Sequence, residues 1–292
     1  MKRKADGFMG LIEIDPKKCK RDGLCVKICC ENHVFAEGED GVPRIVNEKD
    51  CIACGHCVSV CPADAIRHGG MDMSGFVPVE RESLPGPESV AALLSSLRSI
   101  RHYKDKPIPD DVLEKLLLAG SQAASEHNAQ DRGFVVVKDK AKIAELATEL
   151  AKHYKSLLPM MNRAVFGMIS IFNPGLGAYL ARSETDMRRV VKEYAPGNDT
   201  IFHGSPCVIV ITSGKGNVLG KDSALTSQEA IRILGHSMGL GACVSGYATG
   251  AGSVVRKTLG IPRDMQVQTV FSLGYPKYEF RKAPPRKPAI VR

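Results

Sequence analysis

Apolar residues recur at helical spacing through the middle of the chain. Val112, Leu113, Leu116 and Leu117 share one face of a segment that Asp110 or Asp111 can cap and Gly120 stops. Ile143, Leu146 and Leu150 mark another helix, and a further one is predicted from Pro87 to the segment Ser96–Tyr103. Ser227–Tyr247 reads as a helix running into glycines, where backbone can approach a planar ligand closely. Between these lie short β-branched runs, Phe134–Val137, Cys207–Thr212 and Thr269–Ser272. The mixture predicts an α+β domain. Residues 156–204, rich in Met and Phe and broken by Pro and Gly, read as a helical insertion that serves either as core packing or as a lid.

The first 70 residues show only faint periodicity and carry most of the cysteine. Of the 10 Cys, eight lie in the first 61 residues. A Gly, Pro and Ser-rich stretch with Pro78, Pro85 and Pro87 comes next. The expected organisation is a Cys-rich domain at 1–72, a linker at 73–88 and the α+β domain at 89–292.

Composition adds what to exclude. With 43% hydrophobic and 25% charged residues, the 292-residue chain can bury an ordinary core. The net charge of +8 is spread along the chain, and no basic run is interleaved with aromatics, so nucleic acid is not an expected partner. The longest apolar stretch, Ala164–Ala181, contains Asn173, Pro174 and three glycines, so no membrane span is expected. No signal peptide is visible, since Asp6, Glu13 and Asp15 break the apolar stretch that would have to succeed the basic opening. The cysteines therefore read as reduced metal ligands in a cytoplasmic protein.

Cys51-x2-Cys54-x2-Cys57-x3-Cys61-Pro62 has the spacing with which soft thiolates wrap iron–sulfur clusters. Zinc is the competing metal, but its sites favour paired Cys hooks set well apart. An earlier run, Cys19-x2-Asp22-x2-Cys25-x3-Cys29, keeps the spacing with Asp in place of one Cys. The two runs resemble a bacterial two-[4Fe-4S] ferredoxin. That resemblance implies one cluster on Cys19, Asp22, Cys25 and Cys61, and another on Cys51, Cys54, Cys57 and Cys29. A carboxylate holds iron less tightly than a thiolate, so the cluster at Asp22 could be [3Fe-4S]. Alternatively Asp22 is a turn residue before Gly23, with Cys30 or water completing the site. Cys30 itself reads as packing.

In the second domain, Arg98, Ser99 and Arg101 form a candidate phosphate grip. Ser125, Asn128 and Gln130 offer the donors and acceptors a pyrimidine-like ring edge needs. The Ser245-Gly246 turn and the basic tail with Arg286 and Lys287 complete the set. In this order the segments resemble the FMN-binding nitroreductase family over residues 90 to 290. The resemblance implies that Arg98, Ser99, Arg101, Arg286 and Lys287 hold the FMN phosphate. It also implies that Ser125, Asn128 and Gln130 reach across a homodimer interface, and that Ser245 and Gly246 supply a backbone N–H near flavin N5. Leu97 stands where the family has Arg; Ala124, Asp131 and Arg132 depart from its Pro-Ser-x-x-Asn-x-Gln-Pro-Trp segment. His127, His203 and His236 read as structural.

The expected enzyme is an FMN-dependent iron–sulfur oxidoreductase. A low-potential donor such as ferredoxin or NAD(P)H loads the clusters, which pass electrons to FMN and on to a small-molecule nitroaromatic, quinone or activated-alkene acceptor. Arg101, Ser245 and Gly246 are the candidates for contact with the reacting ring. The alternatives are a flavin-dependent dehydrogenase whose electrons leave through the clusters, or an electron-transfer or redox-sensing protein with no small substrate.

Overall fold

The computed structural model describes residues 10–29, 33–161, 163–195 and 197–291. The chain divides into two compact units, the first ending at Leu84 and including His127–Ala129, the second comprising Pro85–Glu126 and everything from Gln130.

In the first unit, β1 (Ile12–Ile14) pairs antiparallel with β4 (Ile66–His68), and β2 (Phe35–Ala36) with β3 (Arg44–Ile45). Two short helices, α1 (Leu24–Ile28) and α2 (His56–Val60), lie within the two Cys runs. Each starts from a left-handed glycine, Gly23 at φ 67° and Gly55 at φ 75°. Two residues earlier, Arg21 (φ 57°) and Ala53 (φ 50°) repeat the same unusual backbone. The duplication seen in the Cys spacing is therefore a duplication of backbone conformation, and Asp22 occupies the step that Cys54 occupies in the second copy. The core is small: Ile12, Val34, Phe35, Val58 and Ile66 pack with Cys25 and Cys57.

The second unit is built on an antiparallel sheet of order β5-β6-β8-β7: Gly133–Val137, Cys207–Gly214, Met265–Gly274 and Gly241–Val244. Both faces of β6 are covered, which is why its sequence is an unbroken apolar run rather than an alternating one. Val208 and Val210 pack with Leu146 and Leu150 of a helix at Lys140–Leu157. Ile209 and Ile211 pack on the other face with Leu116 and Ile231, from helices at Asp110–Gln122 and Gly220–Ser237. The α+β expectation is met, with helices on both sides of the sheet.

Several local expectations are corrected. Neither Asp110 nor Asp111 caps its helix; both lie in its first turn, after Pro109 at the capping position, where their charge favours the helix N-terminus. Gly120 does not end that helix, which runs on to Gln122. Gly120 is buried in its interior because a Cβ there would come within 2.8 Å of Ile231. The segment Ser227–Tyr247 does read as a helix running into glycines: the helix stops at Ser237, the chain turns through Gly239 (φ 80°), and then enters the sheet as β7. The apolar stretch Ala164–Ala181 is split between two helices, Arg163–Phe172 and Pro174–Glu193, and the Asn173 side chain caps the second by accepting from Leu176 N–H at 3.0 Å. Among the described residues no helix is long and apolar enough to cross a membrane.

Candidate functional site

Two small hollows lie in the first unit, and their walls divide the metal-ligand candidates between them. Cys19, Asp22, Cys25 and Cys61 line one; Cys29, Cys51, Cys54 and Cys57 line the other. Each hollow thus takes three residues from one run and one Cys from the other. Among the described residues no three His, Cys, Asp or Glu side chains converge as a single bound ion would require. The side chains of each set line a hollow, an arrangement suited to a multi-iron cluster. Lys20 with the apolar Ile14, Leu24 and Ile66 lines the rest of the first hollow, and His56 and His68 with the apolar Ile12, Val34 and Phe35 line the second. Burial pushes the Cys57 thiol up to about 11, and also raises Cys25 and Cys51. Such thiols become thiolates when a metal replaces their protons.

Asp22 does two things: it lines the first hollow, and its Oδ1 accepts from Leu24 N–H at 3.1 Å, the local turn bond of an Asx residue. Cys30 lies outside the described residues.

In the second unit, the segment after Ser96 leaves its helix and lies against β7. Ile100 N–H donates to Ala242 O at 3.0 Å, and Ser99 bridges Ala242. Gly241 permits this approach, since a Cβ there would sit 2.2 Å from Ile100 Cγ1. The contact delivers Arg101 to the wall of a cavity of about 1050 Å³ that is also lined by His203, Cys243, Ser245, Gly246 and Tyr247. The volume is at the large end of small-molecule and cofactor sites, about 300–1,000 Å³, and leaves room for a flavin with an acceptor.

Burial raises the Cys243 thiol, opposed by the charges of Arg101 and Arg232 and by hydrogen bonding to Ser99 and Arg101. Burial lowers the pKa of His203, and Arg101 and His102 lower it further against the pull of Asp199, which favours the neutral imidazole near pH 7. Asp199 holds the His203 loop by accepting backbone N–H bonds from Ile201 and Phe202 at 2.9 Å and Gly204 at 3.2 Å. His203, read from sequence as structural, is thus part of the cavity wall. Ser245 N–H already donates to Val270 O at 2.8 Å, and its hydroxyl caps the next short helix at Ala248 N–H. Of the predicted pair, Gly246 at the first helical position is left as the candidate amide donor.

Other predicted residues lie elsewhere. Arg98 lines a separate cavity with Lys104, His236 and Tyr275, and its Nε is buried with no hydrogen-bond partner. Ser125 Oγ accepts from Gln130 N–H at 3.2 Å, a loop-closing bond. Asn128 belongs to the first unit, where Nδ2 donates to the carbonyl oxygens of Ile52 (3.2 Å) and Ala53 (2.7 Å). Arg286 and Lys287 lie in an exposed tail without regular structure and do not line the cavity.

The model of the nitroreductase family matches residues 94–275, more than half of the chain and the whole of the segment that builds the large cavity. The chain belongs to the nitroreductase family. A 4Fe-4S binding domain matches residues 44–67, spanning the second Cys run. The chain is thus an FMN-dependent oxidoreductase of the nitroreductase family, with a ferredoxin-type domain for at least one 4Fe-4S cluster. It is 28% identical over 193 residues to an Archaeoglobus fulgidus protein that bears the name NADH dehydrogenase/NAD(P)H nitroreductase, covering 66% of this chain and 88% of that one. Over 69 residues it is 35% identical to the oxidoreductase YjgC of Bacillus subtilis, covering 20% of this chain and 7% of that one. An FMN-dependent nitroreductase of Clostridium difficile R20291 shares the fold with a TM-score of 0.52 at 18% identity, over 71% of this chain and 100% of that one.

Where this chain departs from its family's Pro-Trp segment, Asp131 and Arg132 do structural work that sequence alone did not reveal. Arg132 donates to the carbonyls of Ser121, Ala123, Ala124 and Ser223 and to Ser227 Oγ, and Asp131 accepts from Gly214 N–H and Asn217 Nδ2. Arg132→Leu leaves those acceptors unpaired and is expected to destabilise the chain by about 2 kcal/mol, seen as a lower urea midpoint at unchanged slope.

Proposed function

We propose that the chain is a cytoplasmic, homodimeric iron–sulfur flavoprotein reductase with two clusters, which carries electrons from a low-potential donor to FMN and then to a nitroaromatic, quinone or activated alkene. The observation that carries this reading is the crossed partition of ligands: Cys61 closes the hollow of the first run, and Cys29 closes that of the second. In two-cluster ferredoxins the last Cys of each run serves the other cluster. The asymmetry at Asp22 makes its cluster the weaker one, with a three-iron form as its expected breakdown state.

Bound FMN would supply what the side chains lack, exchange of electrons singly with the clusters and in pairs with an organic acceptor. Arg101 sets a positive charge on the cavity wall, where it favours negative charge on a bound ring. On the same cavity wall Gly246 N–H would be the amide donor to a bound flavin, and the neutral imidazole of His203 would be available to hydrogen-bond an acceptor. Ser99 and Arg101 are the phosphate-side candidates of this chain. Arg98, Arg286 and Lys287 require rearrangement to join them; Ser125 and Gln130 are assigned to a cavity of a second copy, and Asn128 joins them only by releasing the Ile52 and Ala53 carbonyls.

Anaerobic analysis of iron, sulfide and FMN, combined with reoxidation of the reduced protein by each acceptor class, tests the reading. About eight iron per chain, bound FMN and acceptor-dependent turnover support it. Loaded cofactors without turnover favour an electron-transfer role, and zinc in place of iron removes the redox role of the first unit.

A further inference from the structure

His68 ends β4, paired with Ile12 of β1, and is buried to 1% exposure beside the second hollow. A buried imidazole needs partners for both nitrogens, and both are present. Gly70 N–H donates to Nδ1 at 3.2 Å, which makes Nδ1 the acceptor and leaves the proton of the neutral ring on Nε2. Nε2 lies 3.4 Å from Cys51 Sγ, so the ring donates an N–H···S hydrogen bond. The loop is packed closely around this arrangement: a Cβ on Gly70 would come within 3.2 Å of His68 Cε1.

The sulfur of Cys51 therefore receives two donors, His68 Nε2–H and the Ala53 amide at 3.4 Å. In the other ligand set, Cys61 Sγ accepts from the Ala65 amide at 3.3 Å. Hydrogen bonds to a ligating sulfur draw electron density from it and favour the reduced, more negative cluster. We infer that His68 is a positioning and tuning residue that raises the reduction potential of the cluster held by Cys29, Cys51, Cys54 and Cys57, through its hydrogen bond to Cys51. The inference rests on the cluster assignment proposed above.

The test is a redox titration of the full chain monitored by electron paramagnetic resonance, comparing wild type with His68→Phe and His68→Gln. The expected result is one couple moved to more negative potential in His68→Phe, the other unmoved, and a smaller move in His68→Gln, which keeps an N–H donor. A fully loaded His68→Phe protein with both couples unchanged overturns the inference and leaves the cluster assignment standing. A wild-type protein without iron overturns both. Should His68→Phe fail to load, pulsed resonance on wild type carrying 15N-histidine decides: a weak nitrogen coupling in one reduced cluster signal supports the hydrogen bond, and no coupling in either overturns it.

Discussion

Cys54→Ala is expected to leave the purified chain with about half its iron and acid-labile sulfide, a loss of about four iron per chain. The same protein is expected to reduce its flavin more slowly when a low-potential donor is supplied. Cys54 gives a cleaner experiment than Cys57 because of where each sits. Cys54 is exposed, so truncation removes a ligand and little else. Cys57 is buried in the small core with Ile12, Phe35 and Val58, so its loss combines missing ligation with a cavity. Iron and sulfide at wild-type levels in Cys54→Ala would refute the ligand set of the second hollow.

The second large effect is expected at the flavin cavity. Arg101→Gln removes the cationic side chain that lines the wall beside Cys243 and His203, and FMN affinity is expected to fall about 10- to 100-fold, the range of one charge-assisted hydrogen bond. Titration of the flavin-free protein by fluorescence reads the change. The same charge provides a second readout. Burial is the first reason that His203 has a lowered pKa, but Arg101 contributes to the lowering. Without that positive neighbour the imidazolium is less disfavoured, so the His203 pKa is expected to move upward in Arg101→Gln, measurable by its ring resonances against pH. Unchanged FMN affinity with an unchanged His203 titration would remove Arg101 from the site.

The fold and site differ in how much of each is legible in the sequence. The strands at 133–137 and 207–214 announce themselves because their residues are largely β-branched and apolar on both faces, those of 207–214 being buried, as does the helix carrying Ile143, Leu146 and Leu150. β7 escapes because its identity depends on a contact. Gly241 and Ala242 have little strand preference, and they form a strand by pairing with Gly274 and Leu273 while Ile100 packs against Gly241. Ser245 shows the same limit: the turn is visible in the sequence, but that its amide is already taken by Val270 is not.

The chain's sequence determined the chemistry that depends on local spacing. Thiolates three and four residues apart must wrap a cluster within a single turn of backbone, so the Cys runs, their duplication and the odd carboxylate at Asp22 can be read without a structure. Tertiary structure alone decided everything that joins distant segments. It set His68 against Cys51 and gathered Arg101, His203 and Gly246 on one cavity, and it carried Cys61 and Cys29 to the hollows that the ferredoxin resemblance implied for them. It also turned Arg132, a departure from the family pattern, into the clamp of its loop. The physical reason is that these partners meet through sheet pairing and the burial of apolar faces, which fix position in space but leave no periodic mark on the residues they bring together.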